Sequence, residues 1–184
     1  MKINYFVHGT TVDNEAGLAT GWLPGDLSAQ GIKQASALGD AMRSLNVDAV
    51  FCSDLKRAVD SAELFFGRRF PLFLDWRLRE CHHGEFDGAP ADAFKTNCEQ
   101  RYIHTAYLGG ESYRDVELRM RSFLADAQRL FAGKRIALVS HQAPQLAFDV
   151  ILNGQTWEHA IANDWRKTGT WQAGWEYEVV ETPR

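Results

Sequence analysis

Cysteine is scarce in this chain, and what there is does not pair. Three residues in 184, Cys52, Cys81 and Cys98, are odd in number and show no Cys-x-x-Cys spacing. That pattern argues against a disulfide framework and reads as reduced thiols in a cytosolic protein. With no redox motif around them, Cys52 and Cys81 read as small buried residues. Long apolar runs are missing too. No stretch approaches the roughly 18 residues of a membrane span, and Met1-Lys2-Ile3-Asn4-Tyr5 opens with too short an apolar run for a signal peptide. Nor is there an excess of positive charge. Lys and Arg total 20 against 24 Asp and Glu, a net charge of −4, so the chain has no global signature for nucleic acid or an anionic membrane surface. Internal repeats, low-complexity tracts and linkers are absent as well. The expectation is one cytoplasmic domain over residues 1–184, long enough to bury a substantial core.

What is present is an alternation of short apolar runs with helical patterns. Residues 2–7 read as a buried strand ending at His8-Gly9. A loop with Gly17, Gly21 and Leu23-Pro24-Gly25-Asp26 leads to Ser28, an N-cap. The helix it opens is expected over 29–45, with Ile32, Ala35, Leu38, Met42 and Leu45 inward. Asp48-Ala49-Val50-Phe51 is a second strand. Ser53 or Asp54 then caps a helix with Leu55, Ala58, Val59, Ala62, Phe65 and Phe66 inward, closing near Gly67, and Leu72-Phe73-Leu74 is a third strand. Residues 84–110 are the least regular, with a helix expected over about 91–103. Ser112-Tyr113-Arg114-Asp115 has the capping-box form and opens a helix through Leu130, stopped by Gly133. Residues 135–140 are the most strand-like segment, and Pro144 suits the first turn of the helix after it. Residues 170–179 read as a terminal hairpin about Ala173-Gly174. This order predicts a three-layer α/β sandwich with a mostly parallel central sheet flanked by helices.

Two histidines, His8 and His141, each follow an apolar strand. In a parallel sheet both would emerge at the strands' C-terminal edge, where open α/β sheets hold ligands. Arg57 stands at another strand-to-helix junction, and Glu80 follows the third strand. Each residue also has a plainer reading. A lone strand-end histidine is more often structural, Arg57 could lie on a helix surface, and Glu80 could pair with Arg77 or Arg79. His82 and His83 are adjacent and should point apart, one of them at the pocket rim. His104 and His159 read as surface residues. Trp157, Trp165, Trp171 and Trp175 read as core and hairpin packing. Asp13, Asn14 and Glu15 lack the spacing of a calcium loop, and no convincing metal-ligand cluster is present.

Taken together the residues fall into four separated motifs that span most of the chain. They are His-Gly-x-Thr-x-x-Asn at 8–14, Ser-Asp-Leu-x-Arg-Ala at 53–58, Leu-x-Glu with a following glycine at 78–84, and Gly-Gly-Glu-Ser at 109–112 leading to the strand before His141. In this order they resemble the histidine phosphatase superfamily, also called phosphoglycerate mutase-like. The resemblance implies that fold, and hydrolysis of a small phosphomonoester through a phosphohistidine. His8 would be the nucleophile, held neutral and in one tautomer by a hydrogen bond at its other ring nitrogen. Arg57 would clamp two phosphoryl oxygens in a fork that lysine cannot reproduce. His141 would be protonated and donate to the third oxygen. Glu80 would protonate the leaving oxygen, then take a proton from the hydrolytic water. Thr10, Asn14, Gln142 and the backbone N–H after His141 would complete the substrate cradle. No metal or cofactor is required, and the partner is a small phosphorylated metabolite, bound by a monomer or homodimer.

One position departs from the resemblance. The family usually has arginine directly before the first histidine, and here that residue is Val7. A charged clamp in phosphoryl transfer can be worth about 10³–10⁵ in rate. Three explanations stay open: another cation such as Arg79 or Lys56 takes its place, the enzyme is slow or unusual in specificity, or the protein binds a phosphorylated ligand without turning it over. Phosphoglycerate mutase activity is the other enzymatic alternative. The short cover at 85–110 counts against it, though Phe86, Phe94, Tyr102 and Tyr107 there would form an aromatic lid.

Overall fold

The computed structural model of the protein describes residues 1–94, 99–168, 171–172 and 174–180. Five strands form one sheet in the order β3-β2-β4-β1-β5. They are β1 (Lys2–Val7), β2 (Ala49–Cys52), β3 (Leu72–Leu74), β4 (Arg135–Ser140) and β5 (Gly174–Glu178). The first four are parallel, and β5 runs antiparallel along β1. The helices are α1 (Val12–Glu15), α2 (Ala29–Ala41), α3 (Lys56–Phe66), α4 (Tyr113–Phe131), α5 (Gln142–Asn153) and α6 (Trp157–Ala162).

The sheet has a hydrophobic layer on each face, so its central strands are apolar almost throughout. On β1, Ile3, Tyr5 and Val7 belong to the layer under α4, α5 and α6. Phe6 points the other way, into the smaller layer under α2 and α3, where Phe65 and Phe66 lie 6.0 and 5.8 Å from it. Fully burying one such ring contributes about 1.5–3 kcal/mol. Ser112 caps α4 in a reciprocal capping box with Asp115, and Ser28 caps α2. Close packing at the start of α2 needs glycine twice. A Cβ on Gly9 would lie 2.5 Å from the Gly31 carbonyl oxygen, and one on Gly31 would lie 1.9 Å from that of Thr10.

Several expectations need correction. Helix α2 ends at Ala41, and Ile32 is exposed, because Gly31, Ala35 and Gly39 form its buried face. Neither Ser53 nor Asp54 caps α3: Leu55 is its N-cap, Ser53 turns to His141, and Asp54 binds Arg79. The expected helix over 91–103 is two short 3₁₀ turns, Ala91–Ala93 and Glu99–Ile103, with residues 95–98 outside the described set. Of the expected terminal hairpin, the described residues show only the second arm. It becomes β5 and pairs with β1, while Trp171 and Gln172 form no strand and Thr170 and Ala173 lie outside the described residues. The supposed aromatic lid is core. Phe94 and Tyr107 are buried, Phe86 stacks on Phe94 at 4.8 Å, and Tyr102 stacks on Tyr107 at 3.7 Å.

Candidate active site

Strand register sets the centre of the site. Val7 pairs with Ser140 across β1 and β4, so the next residue on each strand, His8 and His141, emerges at the same edge. Their rings lie 5.1 Å apart. On the other side of β4, Ser53 follows β2, and its hydroxyl lies 2.8 Å from Nε2 of His141. A pocket of about 470 Å³ opens at this edge, lined by Val7, His8, Thr10, Asn14, Arg57, Glu80, His83 and Gln142 among others.

The environment of His8 fixes its tautomer. Nδ1 lies 2.7 Å from the carbonyl oxygen of Gly9, a pure acceptor, so Nδ1 carries the proton. Nε2 is then the lone-pair nitrogen, and Nε of Arg57 donates to it at 3.3 Å. Desolvation by burial and, second, the charge of Arg57 lower the His8 pKa to about 4. The ring is neutral across the physiological range.

Arg57 is itself 1% exposed. Its Nη1 donates to the carbonyls of Leu23 and Pro24, and its Nη2 to that of Gly21. The loop after α1 thus holds the outer end of the guanidinium, and the Nε edge faces His8. Burial lowers its pKa to about 10, so it remains a cation at neutral pH.

Glu80 pairs with neither Arg77 nor Arg79, which are held by Asp75 with Asp126 and by Asp54. Its carboxylate sits at the start of α5 and accepts from the backbone N–H groups of Cys81, Gln142 and Ala143 at 2.8, 3.2 and 3.0 Å. A helix N-terminus is a favourable place for this charge. The backbone N–H after His141, expected in the phosphate cradle, therefore goes to Glu80. The Gln142 side chain turns aside to Asp164 at 2.9 Å. Asn14 uses its Oδ1 on the N–H of Thr11 within the cap of α1. Thr10 is held by its own N–H on Gln34 Oε1.

His141 differs most from expectation. It is 0% exposed and lies behind His8 instead of on the pocket wall. Burial first, then the positive charge of Arg57, holds its pKa well below the ordinary value, so in this structure it is neutral and not the expected imidazolium. Its Nδ1 has no hydrogen-bond partner among the described residues.

Other site residues escaped sequence reasoning. Arg119 on α4 is buried; it forks onto Glu111 and donates to the carbonyls of Arg77, Arg79 and Glu80. Trp22 donates to the Glu80 carbonyl at 2.7 Å and stacks on His82. His82 and His83 do not diverge as expected, since both reach Asp87, at 3.3 and 3.4 Å. Trp165 and Trp171 line the pocket, and Trp171 donates to the His8 carbonyl. The cations expected to compensate for Val7 are engaged elsewhere. Arg79 is forked by Asp54, and Lys56 pairs with Asp26 and Asp60. Among the described residues there is no group of three or more His, Cys, Asp or Glu side chains placed to hold a metal ion.

Comparison with known proteins agrees with this geometry. The profile of the histidine phosphatase superfamily (branch 1) matches residues 6–171, so the chain belongs to that superfamily. The adenosylcobalamin/alpha-ribazole phosphatase of Escherichia coli K12 is 30% identical over 153 residues, covering 77% of this chain and 74% of the relative. A 2,3-bisphosphoglycerate-dependent phosphoglycerate mutase of Staphylococcus carnosus is 34% identical over 103 residues, covering 53% and 45%. Among solved structures, a mycobacterial glucosyl-3-phosphoglycerate phosphatase in complex with VO3 superposes with a TM-score of 0.77 at 27% identity, covering 88% of this chain and 83% of its own.

Proposed function

We propose that the protein hydrolyses a small phosphomonoester through a phosphohistidine on His8. The observation that carries this reading is the pinned tautomer. With Nδ1 engaged by Gly9, the Nε2 lone pair stands at the pocket beside the Arg57 cation. Attack of Nε2 on phosphorus forms the N–P bond and breaks the bond to the leaving oxygen, which takes a proton from Glu80. Water then attacks the phosphohistidine, gives its proton to Glu80, and releases inorganic phosphate with His8 restored. The three backbone N–H groups on Glu80 suit the ionised form needed in the second step. Arg57 meets the phosphoryl group through its Nε edge, and His141 acts from behind the His8 ring, 5.1 Å away.

With valine at position 7, Arg57 is the one arginine among the described residues that bonds to His8, which supports a slower reaction than two would give. The charge stabilisation comes from these side chains, and the reading needs no metal. It takes the chain as a single cytoplasmic domain, monomer or homodimer. No helix among the described residues is long and apolar enough to cross a membrane. A binding-only reading also has support, because loop carbonyls already hold the outer donors of Arg57. Rapid quench with a labelled phosphomonoester decides between them. An acid-labile, base-stable adduct is expected, absent in His8→Ala. Full activity in His8→Ala overturns the assignment, and binding without any turnover leaves the binding-only reading.

A further inference from the structure

Two arginines line the pocket among the described residues, Arg57 and Arg166. Nothing in the reaction above uses Arg166, yet it is carefully held. Asp164, 3% exposed, accepts Nε and Nη2 of Arg166 on Oδ2 at 2.9 and 2.6 Å, and the Arg166 backbone N–H on Oδ1 at 3.0 Å. The same Oδ2 also takes the Gln142 side chain. A guanidinium gripped along one edge keeps a fixed direction and still has donors to offer. Glu99 stands 3.7 Å from Nη2. The Arg166 side chain is 35% exposed and lines the pocket, so the donors that Asp164 does not take are open to a ligand.

The position of Arg166 says what those donors face. The Glu80 carboxylate accepts the Gln142 N–H, and the Gln142 side chain donates to Asp164, which holds Arg166. Arg166 therefore belongs to the Glu80 side of the pocket, the side on which the leaving oxygen departs. The pocket of about 470 Å³, lined also by Trp165, Trp171 and Ala91, has room for more than a phosphoryl group. Because Asp164 offsets the charge of Arg166, the arginine acts by contact more than by long-range attraction.

We propose that Arg166 receives a second oxyanion on the departing part of the substrate, so that the enzyme prefers small phosphomonoesters that also carry a carboxylate or a second phosphate. This rests on the phosphatase reading above.

The test compares the full chain with Arg166→Gln and Arg166→Lys. The substrates are phosphoglycolate, propane-1,3-diol bisphosphate and glycerol 1-phosphate, whose leaving group is neutral. The measured quantity is the ratio of kcat/KM for each charged substrate to that for glycerol 1-phosphate, which cancels any general loss in a variant. The ratio should be at least tenfold in the parent for one or both charged substrates, and should fall to within threefold of unity in Arg166→Gln. Arg166→Lys, which keeps the charge beside Asp164, should lie between. Which charged substrate shows the preference identifies the oxyanion. A parent ratio near unity, or a ratio unchanged in Arg166→Gln, overturns the inference. If no ester is turned over at all, the phosphatase reading fails, and calorimetry takes over. Arg166→Gln should then lose at least tenfold in affinity for phosphoglycolate and less than threefold for inorganic phosphate. Equal losses overturn the inference.

Discussion

Replacing Arg119 with methionine should both destabilise the protein and slow it, and the structure gives the size of each effect. The side chain is 5% exposed and faces Glu111, itself 17% exposed, through two parallel bonds of 2.9 and 3.0 Å. Methionine fills similar space but leaves the Glu111 carboxylate without its cation and three carbonyls short of a donor. Removing one partner of such a pair costs about 3–5 kcal/mol. At about 2–4 °C per kcal/mol for a chain of this size, Tm should fall by roughly 6–20 °C. Urea unfolding followed by circular dichroism measures the change directly. The double variant Arg119→Met/Glu111→Gln removes both charges and should recover about half of the loss. Activity reports separately. Arg119 donates to the Glu80 carbonyl at 2.9 Å, so at a temperature where both proteins are folded, kcat should fall while KM changes little. A single-variant cost under about 1 kcal/mol would refute the burial argument. So would a double variant no better than the single, and an unchanged kcat would show that Arg119 does not position Glu80.

Acid should weaken the fold through the site histidines. His8 is lowered to about 4 and His141 well below its ordinary value, both chiefly by burial, so between about pH 6.5 and 4 the unfolded chain binds protons that the folded one refuses. Stability is then fully present above about pH 6.5 and is lost as pH falls towards 4, by up to about 1.4 kcal/mol per unit for His8 alone, less for the edge open to the pocket. The urea midpoint should drop between pH 7 and 4.5, and His8→Ala should flatten that slope; equal slopes in the two proteins would count against it. At position 7, valine is buried and lines the pocket, and neither Arg79 nor Lys56 has moved in beside Arg57. Val7→Arg should therefore tighten inorganic phosphate by about 1.5–3 kcal/mol for a charge-assisted bond. Calorimetry measures it, and unchanged binding and rate would mean that position 7 does not face the phosphate.

What could be read from the sequence was whatever depends on strand ends and local caps. His8 and His141 each close an apolar run, and parallel register alone brings them together once β1 and β4 are neighbours. The Ser112–Asp115 box and the Gly67 stop of α3 are likewise local chemistry. Partners joined across long separations were not legible. Arg119 looks like one more charged residue on an amphipathic helix until the 77–80 turn is folded over it. Ser53 looks like a helix cap, and nothing near it in sequence announces His141. The burial of His141 was not legible for a related reason: the cost of an imidazolium beside Arg57 shows only once the ring is placed behind His8.

The loop at 21–24 has a consequence for how this pocket can change. Gly21, Leu23 and Pro24 grip the arginine through main-chain oxygens, while Trp22 between them reaches the main chain of Glu80. Both ends of the proposed reaction axis are thus spaced by one short stretch of chain, through main-chain oxygens at the Arg57 end and through the Trp22 indole at the Glu80 end. Exchanging Trp22 would release the Glu80 end and leave the grip on Arg57. Arg57 also blocks growth from below, since a side chain at Gly25 would meet its Cδ at 3.2 Å. Room for a larger substrate can be made from another rim, where Trp165, Arg166 and Trp171 present exchangeable side chains. Divergence in substrate choice should be written into that C-terminal wall, while the arginine–carboxylate spacing stays constant.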